Sequence, residues 1–307
     1  MNLFIIGNGF DLAHGIKSKY WDFGEYLQNY YPGFYGKLMA AINNDQGIWS
    51  DFEGELPSCG LEMEALGYQM AQNILDEIDY GSMGDNGMGI WIKEQLDFIK
   101  QLPEVLRAWI ESVDINKPQV YRPDLFQADD LYLSFNYTNT LEEVYKIPRE
   151  NILHIHGDAA NPMDVLIMGH GDEDEMDRVK QNYHDAKSQH YQYESAESNA
   201  AILEVVLQFL ENTYKDTEKI IYKKRDFFNS LCDVDNVIVI GSSLSSVDYP
   251  YFKHIKKIGE FNWTIIYYDS SNVEVAHNEK AKAENFLKSL GIPESKCNTL
   301  ASSKVLL

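Results

Sequence analysis

The chain is punctuated by short apolar runs, each ending in small or polar residues, at positions 3–6, 131–135, 152–155, 165–168, 237–240 and 264–268. Runs of this length without polar alternation are what strands look like when both faces of a sheet are covered. Between them lie stretches with helical spacing. Examples are 20–31, with Phe23, Tyr26, Leu27 and Tyr30, and 273–290, with Ala276, Ala283, Phe286, Leu287 and Leu290. The alternation predicts an α/β fold, Rossmann-like and doubly wound on a mostly parallel sheet.

With 307 residues and 44% apolar content, the chain can bury one large core or a main domain carrying an insertion. Residues 48–113 contain no strand-like run but show helical patterns at 61–78 and 90–110, the latter expected to bend at Pro103. They predict a single α/β domain with a helical insertion over about 45–120. The polar stretch 169–190 is expected to be a mobile loop at the pocket rim, followed by helices at 196–210 and 219–231. The glycine-bearing run 81–89 reads as an interhelical loop.

Charge and cysteine usage narrow the class of function. A formal net charge of -22, spread along the chain, repels phosphate backbones and anionic lipid, so neither nucleic acid nor a membrane is expected as a partner. Helix N-termini can still offset that repulsion locally for a small anionic ligand. Cys59, Cys232 and Cys297 form no CxxC pair and no even-numbered framework. The opening MNLFIIGNGF is too short an apolar stretch for a signal peptide, and no run approaches the roughly 20 residues that span a bilayer. A soluble, cytoplasmic protein is expected.

Five turns at strand ends carry candidate chemistry. Gly7-Asn8-Gly9-Phe10-Asp11 follows the first run, as a pyrophosphate-binding loop would. The third glycine of G-x-G-x-x-G falls on Leu12, however, and no clear acidic residue ends a second strand about 20 residues on. A tight β-to-α turn without ligand is the competing interpretation. Ser134-Phe135-Asn136-Tyr137-Thr138 leads into a helix near Asn139; its polar groups can line a ligand site, or Asn136 or Thr138 can cap that helix. In His154-Ile155-His156-Gly157-Asp158, alternation puts both histidines on one face, with His156 at the strand tip beside a glycine that leaves room for a ligand. An imidazole there suits general-base work; a metal pair or a satisfied core histidine are the alternatives. Gly241-Ser242-Ser243, running on to Asp248, suits phosphate or ribose, with Asp248 a possible helix cap and a plain serine-rich turn the rival. It is not a G-x-S-x-G elbow. Asp269, at the end of 264–268, suits a ribose or the cap of the next helix.

Four motifs together resemble the AbiH family of bacterial phage-resistance proteins: Gly-Asn-Gly-Phe-Asp-Leu-Ala-His-Gly at 7–15, Ser-Phe-Asn-Tyr-Thr at 134–138, His-Ile-His-Gly at 154–157 and Ser-Leu-Ser-Ser-Val-Asp-Tyr-Pro-Tyr-Phe at 243–252. Trp-Ser-Asp-Phe-Glu at 49–53 looks like that family too, and the similarity spans nearly the whole chain. The turn at 241–242 reads Gly-Ser where relatives are expected to show Gly-His. A more distant resemblance is to sirtuin-like NAD-consuming domains. It implies that Asn136 and His156 are catalytic and that Gly7, Gly9, Ser242 and Ser243 face the cofactor. Thr138 stands where the acid of the sirtuin-type Asn-x-Asp would be, Asn8 replaces the usual alanine, and no four-cysteine zinc module supports lysine deacetylation.

These resemblances imply an antiphage protein hydrolysing NAD+ as substrate, an NAD+ glycohydrolase needing no metal. The site would comprise Asn136 and His156, with Gly7, Asn8, Gly9, Phe10, Asp11, Ser134, Tyr137, Thr138, Gly157, Gly241, Ser242, Ser243, Asp248 and Asp269 around the nucleotide. The alternatives are a nucleotide sensor without catalysis and a metal-dependent phosphoesterase or nuclease using His154, His156, Asp158 and His170. The implied partners are a nucleotide small molecule and a phage-derived trigger or protein meeting the helical insertion; a homo-oligomer is compatible with all three readings.

Overall fold

A computed structural model describes residues 1–42, 45–76, 87–189 and 194–307. The chain divides into two compact units. The first comprises Met1–Lys19, Arg107–Ile167 and Asp216–Leu307, and the second Tyr20–Leu106 and Met168–Lys215. The helical part is therefore larger than the expected insertion: it begins at Tyr20 and takes a second excursion of the chain.

The first unit is a six-stranded parallel sheet in the order β3-β2-β1-β4-β5-β6. Its strands are β1 Asn2–Ile6, β2 Leu131–Ser134, β3 Ile152–His154, β4 Asn236–Ile240, β5 Asn262–Tyr267 and β6 Cys297–Ala301. Strand alternation divides the core. Leu3, Ile5, Leu133, Val237, Val239, Trp263 and Ile265 pack on one face against the helices Tyr249–Ile258 and Val273–Ser289. Phe4, Ile6, Tyr132, Ile240 and Ile266 pack on the other with Phe10, Tyr121, Phe126 and Leu141. Two covered faces explain the unbroken apolar runs, since each buried Leu, Ile, Val or Phe contributes about 1.5–3 kcal/mol.

One expected strand is absent and one strand is unexpected. Residues 165–168 join no ladder: Val165 is exposed, and the segment is tied down instead by Ile167 N donating to His156 O at 2.9 Å and by the Tyr137 hydroxyl donating to Ile167 O at 2.7 Å. Conversely β6 was not apparent, because an edge strand is covered less completely and Cys-Asn-Thr-Leu-Ala carries no apolar run.

The described part of the second unit is helical: Tyr20–Tyr30, Pro32–Ala41, Phe52–Asp76, Gly87–Leu96, Glu173–Gln189 and Glu194–Thr213, with short 3-10 turns. Trp49 stacks on Phe52 and Tyr35, and a Cβ on Gly24 would meet its ring at 2.7 Å. Glu53 pairs with the buried Lys215 at 2.7 Å. The Trp-Ser-Asp-Phe-Glu motif thus builds this unit's core. The expected bent helix over 90–110 is two helices separated by the 3-10 turn Asp97–Gln101, with Pro103 in the first turn of Leu102–Ser112, where its missing N–H costs nothing. The expected rim loop 169–190 is instead largely the helix Glu173–Gln189. Its sparse apolar residues Met176, Val179, Tyr183 and Ala186 keep helical spacing, Val179 is fully buried, and three acids occupy the first turn. The expected loop at 81–89 lies outside the described residues as far as 86; its last three residues open Gly87–Leu96. No helix among the described residues is long and apolar enough to cross a membrane.

Candidate functional site

Strand β1 has β2 on one side and β4 on the other, so the chain departs in opposite directions from this pair. Ligands of open α/β sheets bind outside the carboxyl ends of strands at such a reversal. The first, second, third and fourth motif turns all lie at this edge of the first unit.

The glycines serve backbone packing. Gly7 N donates to Ile240 O at 2.9 Å, Gly9 N to Gly241 O at 2.7 Å and Phe10 N to Gly7 O at 2.9 Å. A Cβ on Gly7 would lie 2.6 Å from Ser242 Cα, and one on Gly241, whose φ is +67°, would lie 2.2 Å from Phe10 N. The loops after β1 and β4 therefore touch main chain to main chain, and the N–H groups of Gly7, Gly9 and Phe10 are engaged within the protein. The expectation that phosphates rest on these amides has to yield to that geometry. Phe10 does not face a ligand either: its ring stacks on Tyr121 in the core. Asn8 exchanges hydrogen bonds with Ser18, through Oγ to Oδ1 at 2.6 Å and Nδ2 to the carbonyl at 2.7 Å.

The turn after β2 is tied to this loop. Asn136 Nδ2 donates to Gly7 O at 3.2 Å, Ser134 Oγ accepts from Asn136 N at 3.2 Å, and Thr138 Oγ1 donates to Asp11 Oδ2 at 2.6 Å. Neither Asn136 nor Thr138 is the N-cap residue of the helix Thr140–Tyr145, a position held by Asn139. Thr138 thus binds a carboxylate supplied by the glycine loop.

The two histidines of the third motif go to opposite faces, correcting the alternation argument. The strand ends at His154 and residues 155–156 turn, so the period of two stops there. His154 Nδ1 lies 3.0 Å from Asn136 O, and Nε2 lies 3.0 Å from Glu142 Oε1. A carbonyl and a carboxylate at the two ring nitrogens are a setting that favours the doubly protonated ring. Burial works against that charge, but Glu142 and the Asn136 carbonyl outweigh it and hold His154 above the ordinary imidazole range. Burial likewise pushes Glu142 up, and His154 and Arg149 reverse this to bring it below the usual carboxylate range. By spacing, Glu142, His154 and Asp158 could hold a metal, their ligand atoms lying within 4.8 Å of one another. Arg149 bridges both carboxylates, at 2.9 Å from Glu142 and in contact with Asp158, so two cations and two anions close the cluster. His170, the remaining member of the proposed metal set, belongs to the second unit, where Leu210 O and Asp172 N engage its ring.

His156 stacks on Phe135, with centroids 5.5 Å apart, beside Tyr251 and Tyr137. Its Nε2 lies 3.6 Å from Asp248 Oδ1, an ion-pair distance. Asp248 precedes the helix Tyr249–Ile258 but makes no side-chain capping bond. Gly157, at φ +90°, leaves room for the Val165 carbonyl, which a Cβ would meet at 2.8 Å, and not for a ligand. In the β4 loop Ser242 Oγ accepts from Leu244 N at 3.1 Å, Ser243 is exposed, and Leu244 has φ +55°, a conformation branched residues seldom adopt.

Asp269 stands apart from this group. It accepts from Ser303 Oγ at 2.6 Å and its N–H donates to Ser302 Oγ, while the following helix is capped by Asn272. Sequence reasoning missed Glu142, Arg149, Thr140 and His14. Burial brings the His14 imidazole below its ordinary range, the Phe10 carbonyl opposing it in part, and its two ring nitrogens meet Phe10 O and the Tyr145 hydroxyl. Only the spacing of His14 from Gly7-Asn8-Gly9 within one motif could have flagged any of them.

The family model described as bacteriophage abortive infection AbiH matches residues 3–268, a range that includes every motif turn at this edge. No curated protein and no solved structure was found to match the chain. With the glycine loop, the Ser-Phe-Asn-Tyr-Thr turn and the His-Ile-His-Gly turn gathered at the carboxyl edge of one parallel sheet, and the family match covering most of the sequence, the chain belongs to the AbiH family of phage abortive-infection proteins.

Proposed function

We propose that this protein serves abortive infection by hydrolysing NAD+ to nicotinamide and ADP-ribose at the carboxyl edge of its sheet. The reading is carried by the imidazole of His156, set among Phe135, Tyr137 and Tyr251 with the Asp248 carboxylate 3.6 Å from Nε2. A buried imidazole with a ring nitrogen facing a carboxylate is a setting suited to general-base work.

In the reaction the C1′–N bond of NAD+ breaks and its electron pair neutralises the pyridinium of the departing nicotinamide. A water oxygen bonds to C1′, and its proton passes to His156 and then to solvent. General-base help of this kind contributes typically 10²–10⁴-fold. The sirtuin-like correspondence gives Asn136 the task of orienting the water or a ribose hydroxyl; its Nδ2 bond to Gly7 O fixes the carboxamide for that task.

The test is release of nicotinamide from NAD+ by the purified protein, alone and with phage lysate, beside His156→Ala. Release by the wild type that the variant loses supports the reading. No release under either condition, or equal release by the variant, ends it.

A second reading has its own observation. Thr138 is bonded to Asp11 and the Ser242 hydroxyl to Leu244 N, departures from the sirtuin-like and family patterns that suit a module that binds a nucleotide and signals without turnover. Calorimetry with ADP-ribose separates the two: binding without nicotinamide release favours the sensor, with a phage-derived trigger or protein partner reading its state.

A further inference from the structure

Asp11 lies at the exit of β1, 1% exposed, and the hydrolysis just described gives it no task. Polar groups from the exit of β2 converge on it. Thr138 Oγ1 donates to Oδ2 at 2.6 Å, Thr140 Oγ1 backs Thr138 at 3.1 Å, and the Asn136 side chain is close enough to favour the charge. The second oxygen, Oδ1, is buried and makes no hydrogen bond among the described residues.

Burial pushes this carboxyl up to about 6, the three polar neighbours and the His154 imidazolium opposing it only in part. Other ionisable groups nearby are committed elsewhere: His14, on the same helix, to Phe10 O and Tyr145, and Glu142 to His154 and Arg149. Unfolding returns the carboxyl to its ordinary range, so keeping it charged in the fold at neutral pH lowers stability. An asparagine would fill the same space without that cost. Buried charges retained against stability at a sheet's ligand edge are functional-site candidates.

We propose that the buried Asp11 carboxylate is a positioning residue that holds the turn closing β2 in its ligand-binding orientation through Thr138 and Asn136. The proposal rests on the reading of this edge as a nucleotide site.

The test uses the full chain, Asp11→Asn and Thr138→Val. The side-chain amide resonance of Asn136 should shift with a midpoint near 6 in the wild type, be flat in Asp11→Asn, and titrate at higher pH in Thr138→Val, which loses a donor to the charged form. In urea unfolding the folded state favours the protonated carboxyl. The wild type should therefore lose stability relative to Asp11→Asn as pH rises from 5 to 8, by about tenfold in the unfolding constant. ADP-ribose affinity, by calorimetry, should fall in the wild type below pH 6 and be about tenfold weaker and pH-independent in Asp11→Asn. An Asn136 resonance that does not titrate, or affinities with the same pH dependence in wild type and Asp11→Asn, overturns the proposal. If no form binds ADP-ribose while the Asn136 resonance still follows Asp11, the nucleotide reading fails and the positioning role stands. Should Asp11→Asn not fold, the wild-type titration and its displacement in Thr138→Val decide the matter.

Discussion

His154 and His156 are two residues apart, yet one closes an ionic cluster and the other lies in an aromatic setting on the opposite face of the sheet. Around His154 every charge is answered: Glu142 and Asp158 share Arg149, and both ring nitrogens face acceptors. Such a cluster fixes a turn and has no proton to exchange cheaply. Around His156 the rings of Phe135, Tyr137 and Tyr251 lower the local dielectric, and the Asp248 carboxylate stands at ion-pair range. The difference shows that a His-x-His pattern says little about role until the end of its strand is known.

The comparison is broken most directly by activity. On the proposed hydrolysis, His156→Gln, which keeps most of the buried volume, should reduce nicotinamide release by about 10²–10⁴-fold and disturb urea unfolding less than a truncation to Ala would. His154→Ala should act mainly on stability. Removing one cation from the buried cluster costs about 3 kcal/mol in unfolding free energy. Its pH dependence has a definite sign. The folded-state pKa of His154 is raised, so its stabilisation is complete below the unfolded value and fades as pH rises through the folded one. The gap between wild type and His154→Ala should therefore narrow on going from pH 6 to pH 9. If the His154 variant loses activity at unchanged stability, the assignment of the two faces is wrong.

A smaller effect tests the loops after β1 and β4. Gly241→Ala places a methyl in a left-handed conformation and against Phe10 N, and should cost at least about 2 kcal/mol with no ligand present. A glycine kept only for close approach of a phosphate would instead leave the stability of the free protein unchanged. This loop also marks where the sequence stopped being readable. Glycines between strand and helix announce a close approach, but not whether the approaching group is a pyrophosphate or the neighbouring loop.

The same limit recurs elsewhere. β1 and β4 were legible because central parallel strands are apolar throughout, whereas β6 was not, since Asn298 and Thr299 sit on an edge that needs no apolar run. The helix Glu173–Gln189 hid in a polar stretch with one fully buried residue, Val179. Asn136, His156 and Asp248 could be named from their motifs and do lie at one sheet edge. The Arg149 clamp could not, because its partners Glu142 and Asp158 come from separate turns and are joined only by folding.

The smallest effect concerns Asp269, which ends β5 at the same edge but lies outside the cluster. Its carboxylate accepts from Ser303 and its amide donates to Ser302, so it fastens the turn that follows β6; the cap of Val273–Ser289 is Asn272, which accepts from Glu274 N and Val275 N. Asn272→Ala should accordingly cost about 1 kcal/mol, and Asp269→Ala no more than about 0.5 kcal/mol, as for an exposed side chain. Neither should change the KM of the proposed NAD+ hydrolysis. If Asp269→Ala instead raises KM at unchanged stability, a ribose reaches β5, and the ligand edge extends one strand beyond the β4 turn that carries Asp248.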